Sequence, residues 1–97
     1  SKNTAIGRAA LFSQNFTSAT DSYNTAVGYG AGSATTTGTN NTFIGSLSGD
    51  ANTTGGSNVA VGKSSFSDNT TGSNNTAIGD AALNANTTAA NELWILL

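Results

Sequence analysis

The chain has 97 residues and a formal net charge of −2; only 8% of its residues are charged, and it contains neither cysteine nor histidine. Disulfide bonds and thiolate or imidazole metal sites are therefore excluded, and the commonest general base is missing. Three basic residues are too few for a patch that binds nucleic acid or anionic lipid, and the longest apolar run, 93–97, is far below the roughly 20 residues that span a bilayer. We expect no enzymatic activity, catalytic or metal site, cofactor, nucleic-acid partner or membrane insertion.

One five-residue motif recurs along the whole chain. It reads Asn-Thr-Ala-Ile/Val-Gly, with single substitutions by Phe or Val, and occupies 3–7, 24–28, 41–45, 58–62 and 75–79. Successive motif glycines are 21, 17, 17 and 17 residues apart, so the first interval has four extra residues. An altered sixth copy at 92–96 has Trp94 in place of alanine and Leu96 in place of glycine. A fixed short period predicts stacked structural units, here a single repeat domain over 1–97.

Each motif copy is predicted to be a short strand, because β-branched and small residues alternate with a period of two. Helix is the competing interpretation for 8–11 and 79–83, but glycine and paired threonine return too often for helices of ordinary length. Seventeen extended residues make a perimeter of roughly 56 Å, enough for two or three short strands per coil. The predicted fold is all-β: a parallel β-solenoid, or β-roll, of about five to six 17-residue coils.

Alternation along the strand divides the motif into two faces. We expect one aliphatic column to point inward as the core, formed by Ile6, Val27, Ile44, Val61, Ile78 and Ile95. A second apolar column, Leu11, Phe66 and Leu83, follows the motif glycines by four residues and is interrupted at Gly32 and Gly49. The opposite strand face is then free to pack against another chain. With the apolar end of the chain it makes the predicted assembly surface: Ala5, Ala26, Phe43, Ala60, Ala77, Leu93, Trp94, Ile95, Leu96 and Leu97.

Asparagine recurs in register as well. The motif asparagines at 3, 24, 41, 58 and 75 predict an amide ladder, in which each side chain bonds to its copy one coil away. Six sequons give candidate glycosylation sites at Asn15, Asn40, Asn52, Asn69, Asn74 and Asn86. Three of these, Asn52, Asn69 and Asn86, would lie on adjacent coils about 4.8 Å apart, so ladder pairing is favoured over glycans there.

Calcium coordination by Asp50, Asp68 and Asp80 is not supported, since none of them lies in a Gly-Gly-x-Gly-x-Asp unit. Threonine columns suggest a different binding function, adsorption to an ice lattice. The pairs at 36–37, 53–54, 70–71 and 87–88 keep register, whereas the motif column Thr4, Thr25, Thr42 and Thr76 is broken by Val59.

The motif, the Ala-Ala-Leu that follows it at 9–11 and 81–83, and Asn-Thr-Thr-Gly-Ser-Asn at 69–74 resemble the head repeats of trimeric autotransporter adhesins. They are also similar to repeat tracts of phage-type tail fibres and large bacterial surface proteins, over residues 3 to 88. In the adhesin family the resemblance implies a left-handed parallel β-roll with three chains around a common axis, and a role in adhesion or extension from a cell surface. The period of 17 is longer than the adhesin repeat. No catalytic residue is implied, because the resembled repeats are structural.

Neither end of the repeat has an evident polar cap, so end-to-end stacking into a head-to-tail filament is one expectation, and an excerpt from a longer fibre is the other. We therefore expect a structural protein that forms or extends an extracellular fibre by self-assembly, at a cell or virion surface, with itself as partner. The alternatives are an ice-binding solenoid and an adhesin or tail-fibre head segment that binds surface glycans.

Overall fold

A computed structural model describes residues 2–14 and 21–96, and within them six short strands form one parallel sheet in chain order. Their bounds are Thr4–Ile6 (β1), Thr25–Val27 (β2), Thr42–Ile44 (β3), Val59–Val61 (β4), Thr76–Ile78 (β5) and Leu93–Ile95 (β6). Each strand pairs with its copy one repeat away, as Thr42 does with Val59 and Val59 with Thr76. The described residues contain no helix, so the predicted parallel β-solenoid is confirmed.

One strand per coil is formed, fewer than the two or three that the perimeter allows. The segment after each motif glycine consists of consecutive turns instead. In the first coil, Ala10 N–H donates to Gly7 O at 3.2 Å, and Phe12 N–H donates to Ala9 O at 3.3 Å. The coil thus has three walls: the strand wall, the turn wall after the motif glycine, and a threonine wall formed by the paired threonines. In the threonine wall, Thr53 N–H donates to Thr70 O of the next coil at 2.9 Å. The turn and threonine walls both stack by hydrogen bonds between coils. In the turn wall, residues with positive φ, such as Ala9 and Leu11, prevent regular strand geometry.

The motif glycine permits this close stacking. Its φ lies between 121° and 130° in all five copies, a region that residues with a side chain rarely adopt. A Cβ on Gly62 would also lie 2.5 Å from the carbonyl oxygen of Gly79 in the next coil. Glycine is therefore required at this position for two reasons, its backbone conformation and its contact with the backbone of the next coil.

The apolar half of the coil interior lies between the strand wall and the turn wall. It contains the middle strand residues and the residues three and four positions after each motif glycine: Leu11, Ala26, Ala31, Phe43, Ala60, Phe66, Ala77 and Ala82. Phe43 takes the place of alanine in its column, and its ring fills the space left by two glycines. A Cβ on Gly49 would lie 2.5 Å from that ring, and a Cβ on Gly32 2.8 Å from it. The interruption at Gly32 and Gly49 is therefore a size compensation for Phe43.

Candidate functional site

The strands present their β-branched residues to the outside, which reverses our prediction from sequence. The aliphatic column Ile6, Val27, Ile44, Val61, Ile78 and Ile95 is not the core: Ile6 is 60% exposed, Ile44 39% and Ile78 38%. The alanine face is not available for assembly either, because Ala26, Phe43, Ala60 and Ala77 are fully buried inside the coil. Both assignments were wrong, although the division of the strand into two faces was right. Ala5 in the first strand and Trp94 in the last are the exposed members of this inward column.

Two physical reasons account for the reversal. The motif asparagine is buried, as at Asn41 and Asn58, and alternation along a strand places the residue two positions later on the same inward side. That residue is the alanine. The interior is also narrow, since a single Phe43 ring needs glycine at two neighbouring positions. A branched aliphatic side chain in every coil would overfill it. The asparagine column, which the sequence shows, was the signal for the inward direction of the alanines.

The outward strand face is the first candidate functional surface, and we call it the strand face. It has two parallel columns that run along the solenoid. One is Thr4, Thr25, Thr42, Val59, Thr76 and Leu93, and the other is the aliphatic column from Ile6 to Ile95. No charged residue belongs to either column. Regular, uncharged and partly apolar, this surface is suited to contact with another ordered surface.

The polar half of the coil interior is a hydrogen-bonded asparagine core. In each motif copy, the Oδ1 of one asparagine accepts the backbone N–H of the next, as from Asn41 to Asn24 at 2.8 Å and from Asn58 to Asn41 at 3.0 Å. From Asn24 to Asn75 the asparagine Nδ2 donates to a backbone carbonyl 14 residues ahead, as from Asn58 to Gly72 at 2.9 Å. The predicted amide ladder therefore joins side chain to backbone rather than side chain to side chain.

A second asparagine column has the amide-to-amide geometry. Asn69 Nδ2 donates to Asn52 Oδ1 at 2.8 Å, and Asn86 Nδ2 donates to Asn69 Oδ1 at 3.0 Å. Asn52 and Asn69 are fully buried, so the folded chain cannot carry glycans on them, and Asn86 is only half-buried. Asn40 and Asn74 are exposed. Asn15 lies outside the described residues.

Two other residues occupy the position of this second column in the earlier coils. Gln14 fills it in the first coil, where its Oε1 accepts from Asn3 at 3.2 Å and from Asn24 at 2.9 Å. Thr35 fills it in the second coil, and its buried hydroxyl has no hydrogen-bond partner. The ladder is thus continuous from Asn52 onward and has a gap at Thr35.

The second candidate surface is a groove of about 350 Å³ at the last described coil, which we call the end groove. Leu83, Trp94 and Leu96 line it together with the polar residues Asn86 and Glu92. Leu93, Trp94, Ile95 and Leu96 are all more than half exposed, and Leu97 lies outside the described residues. The sequence predicted an apolar strand here but no groove. The groove lies between this strand and residues 81–86 of the fifth coil, so it depends on how the two coils stack.

Charged groups form no reactive cluster in the described ranges. Lys2 Nζ lies 2.9 Å from Asp21 Oδ2, and a hydrogen bond from Lys2 lowers the pKa of this exposed carboxyl. Lys2 also lies over the Tyr23 ring, 5.6 Å from its centre. Burial raises the pKa of Asp50, and the charge of Asp68 acts in the same direction. Within residues 2–14 and 21–96, no group of three or more acidic side chains is close enough to hold a metal ion.

No protein-family model matches the chain, and neither a curated protein nor a solved structure is significantly similar to it. Over the described part of the chain, no helix has the length and apolarity needed to cross a membrane. The fold is that of a repeat-tract protein, a parallel β-solenoid of stacked 17-residue coils.

Proposed function

We propose that this chain is a non-enzymatic structural segment of an extracellular fibre, and that copies of it associate laterally through the strand face. The observation that carries the proposal is a row of outward aliphatic side chains on an uncharged surface, exposed at Ile6, Ile44, Ile78 and Ile95 and half-buried at the two valines between them. Apolar area on a regular sheet is stabilised by burial against a similar face, at about 25 cal/mol per Å². The resemblance to adhesin heads and tail-fibre repeats supports the same role at a cell or virion surface.

The experiment introduces a lysine on the strand face and compares it with a lysine elsewhere. Val61→Lys places a charge in the centre of the aliphatic column, whereas Thr71→Lys places it on an exposed position of the threonine wall. We expect light scattering to report an oligomer for the wild type and for Thr71→Lys, and a monomer for Val61→Lys. A wild-type monomer, or an oligomer that Val61→Lys leaves intact, would contradict the proposal.

A charge on the inward alanine column would not test lateral assembly. Ala60 is fully buried, so a carboxylate there would unfold the coil rather than expose a charge at an interface.

Adsorption to ice is the second candidate function, because the strand face carries two parallel outward columns, one mainly of threonine and one of aliphatic side chains. Thr42 and Ile44 are separated by one residue and lie on the same outward side, as do Thr76 and Ile78. Adsorption requires a bare strand face, whereas lateral association buries it. Thermal hysteresis in a nanolitre osmometer, present in a monomeric wild type and lost in Val61→Lys, would favour ice over fibre formation.

A further inference from the structure

The strand face is bordered by a column of polar and charged side chains. This column, which we call the corner column, consists of the residue that follows each motif glycine: Arg8, Tyr29, Ser46, Lys63 and Asp80. All of them are exposed except Ser46, which is half-buried. Among the residues that the structure describes, Arg8, Lys63 and Asp80 belong to no ion pair. Their charges are therefore available to a partner that covers the strand face.

Two orientations allow a second copy to lie on the strand face of the first. If both copies run in the same direction, a two-fold axis along the solenoid places the threonine column of one over the aliphatic column of the other. If the copies run in opposite directions, the two-fold axis is perpendicular to the solenoid. The threonine column then lies over the threonine column, and the aliphatic column over the aliphatic column.

The chemistry of the two columns favours copies that run in opposite directions. The same direction would bury threonine hydroxyls, such as that of Thr42, against aliphatic side chains, where they lose water without gaining a hydrogen-bond partner. Opposite directions bury aliphatic side chains such as Ile44 against one another. They also bring threonines together, and because a hydroxyl both donates and accepts, these can bond to each other.

The corner column specifies where the two-fold axis lies. With the axis through the third coil, that of β3, the fifth coil faces the first and the fourth faces the second. Asp80 then lies opposite Arg8 of the partner subunit, as an ion pair. Lys63 lies opposite Tyr29 of the partner subunit, whose exposed ring can receive the ammonium group. Symmetry makes each contact twice, so four favourable contacts border the paired strand faces.

Other positions of the axis match these charges less well. An axis between the second and third coils would place Arg8 opposite Lys63, and an axis through the fourth coil would place Lys63 opposite its own copy. Both arrangements bring like charges together. An axis between the third and fourth coils matches no opposite charges. An axis between the fourth and fifth coils matches Lys63 with Asp80, but it gives Arg8 no role in the contact.

The size of the interface explains why charge decides the orientation. Five coils about 4.8 Å apart, and six residue steps of about 3.3 Å from Tyr23 to Tyr29, bound roughly 500 Å² on each copy. Stable interfaces take about 800 Å² from each partner, and smaller ones belong to weak, reversible complexes. Apolar burial alone thus gives weak association, and complementary charge selects among the possible arrangements.

From these observations we infer that the partner of the strand face is a second copy of this chain that runs in the opposite direction, with the two-fold axis through the third coil. The inference rests on the proposed function, because it specifies the geometry of the lateral contact. The contact is isologous and closes as a pair. It therefore joins two fibre segments that run in opposite directions.

Charge reversal at Arg8 and Asp80 tests this pairing. Within one chain these residues lie four coils apart, about 19 Å, which exceeds the screening length of about 8 Å at physiological salt. In sedimentation equilibrium, Arg8→Asp and Asp80→Arg should each weaken self-association at least about tenfold, because each places like charges opposite one another at two sites. The control Asp68→Arg, at an exposed aspartate outside the strand face and the corner column, should change little.

An equal mixture of the two variants is the decisive measurement. In the mixed pair, the new carboxylate of Arg8→Asp faces the new guanidinium of Asp80→Arg, and the native Arg8 and Asp80 face each other at the symmetric site. Association of the mixture should therefore return close to the wild-type value, which a folding defect in either variant would not allow. Single variants that self-associate as tightly as the wild type, or a mixture no tighter than the single variants, would overturn the inference.

Val61→Lys separates this inference from the proposed function. If Val61→Lys abolishes association while Arg8→Asp and Asp80→Arg retain it, lateral assembly stands and the pairing in opposite directions fails. If Val61→Lys leaves association intact, the proposed function fails.

Discussion

The two halves of the coil interior are built on different rules. In the motif column of the polar half, asparagine recurs at Asn24, Asn41, Asn58 and Asn75, each donating to the backbone carbonyl 14 residues ahead. In the apolar half, alanine, glycine, leucine and phenylalanine exchange positions from coil to coil, and a large residue on one wall is balanced by a small one on the other.

The difference follows from the forces involved. A hydrogen bond needs its donor and acceptor at one distance and angle, so a buried amide cannot be exchanged without leaving groups unpaired. Apolar packing requires total volume to be filled, and it does not prescribe which wall supplies the volume. The polar half therefore sets the coil spacing and register, and the apolar half adapts to it.

The largest effect is expected from Asn58→Leu, a change of similar volume in the polar half. It removes the acceptor for Asn75 N–H and a donor to Gly72 O, both buried. At about 1–3 kcal/mol for each unpaired group, together with the lost bonds, the free energy of unfolding should fall by roughly 4–6 kcal/mol. Urea denaturation measures this. The control Asn84→Leu, at an exposed asparagine, should lower the free energy of unfolding by less than about 0.5 kcal/mol. Equal losses of stability in the two variants would show that the buried asparagines of the polar half are not more important than an exposed one.

Phe43→Ala should destabilise the chain by about 3–5 kcal/mol, because it leaves a cavity between Gly32 and Gly49. A second substitution should restore stability. Adding Gly49→Leu gives the third coil the same pair of side chains that the fifth coil has in Ala77 and Leu83. The backbone is compatible, because φ is 59° at Gly49 and 51° at Leu83. The double variant should recover at least half of the loss in thermal denaturation. A double variant less stable than Phe43→Ala would show that the two walls are not interchangeable.

Thr35→Asn tests the polar half in the opposite direction, by closing the gap in the second asparagine column. The unpaired Thr35 hydroxyl would be replaced by an amide that can accept from Asn52. We expect a gain of about 1 kcal/mol in the free energy of unfolding, visible as a higher melting temperature. Thr54→Asn, at an exposed position of the threonine wall, is the control and should change little. No gain over that control would mean that ladder continuity is not stabilising at this coil.

The smallest effect is expected at the boundary between the two halves, where a buried Asp50 oxygen has no partner. Burial raises the pKa of Asp50 in the folded chain above its value in the unfolded chain. Ionisation of Asp50 at neutral pH therefore lowers the free energy of unfolding. This loss of stability disappears as the pH falls below the folded and unfolded pKa values. Asp50→Asn, which copies Asn84 of the fifth coil, should therefore raise the melting temperature at pH 7 and have little effect near pH 3. A difference that grew toward acid pH would contradict this sign.

Much of the architecture was predictable because the repeat is nearly exact. The motif glycines and the alternation of small and branched residues located all six strands, including the altered copy from Leu93 to Ile95. The asparagine column was recognised as a ladder, but its bonds to the backbone were not, since they depend on the distance between Asn58 and a carbonyl 14 residues away. The end groove had no sequence signal, because it is formed by Leu83, Asn86 and Trp94 from two different coils.

The sequence by itself determined the period, the parallel register and the two faces of each strand, because these follow from spacing along the chain. Only the tertiary structure decided which face points inward. Alternation separates Ala60 from Val61 but does not give direction. Direction depends on the buried amides of Asn41 and Asn58 and on a cross-section that admits one large side chain only where its neighbours are small. The branched residues lie outside for lack of room, and they form the strand face.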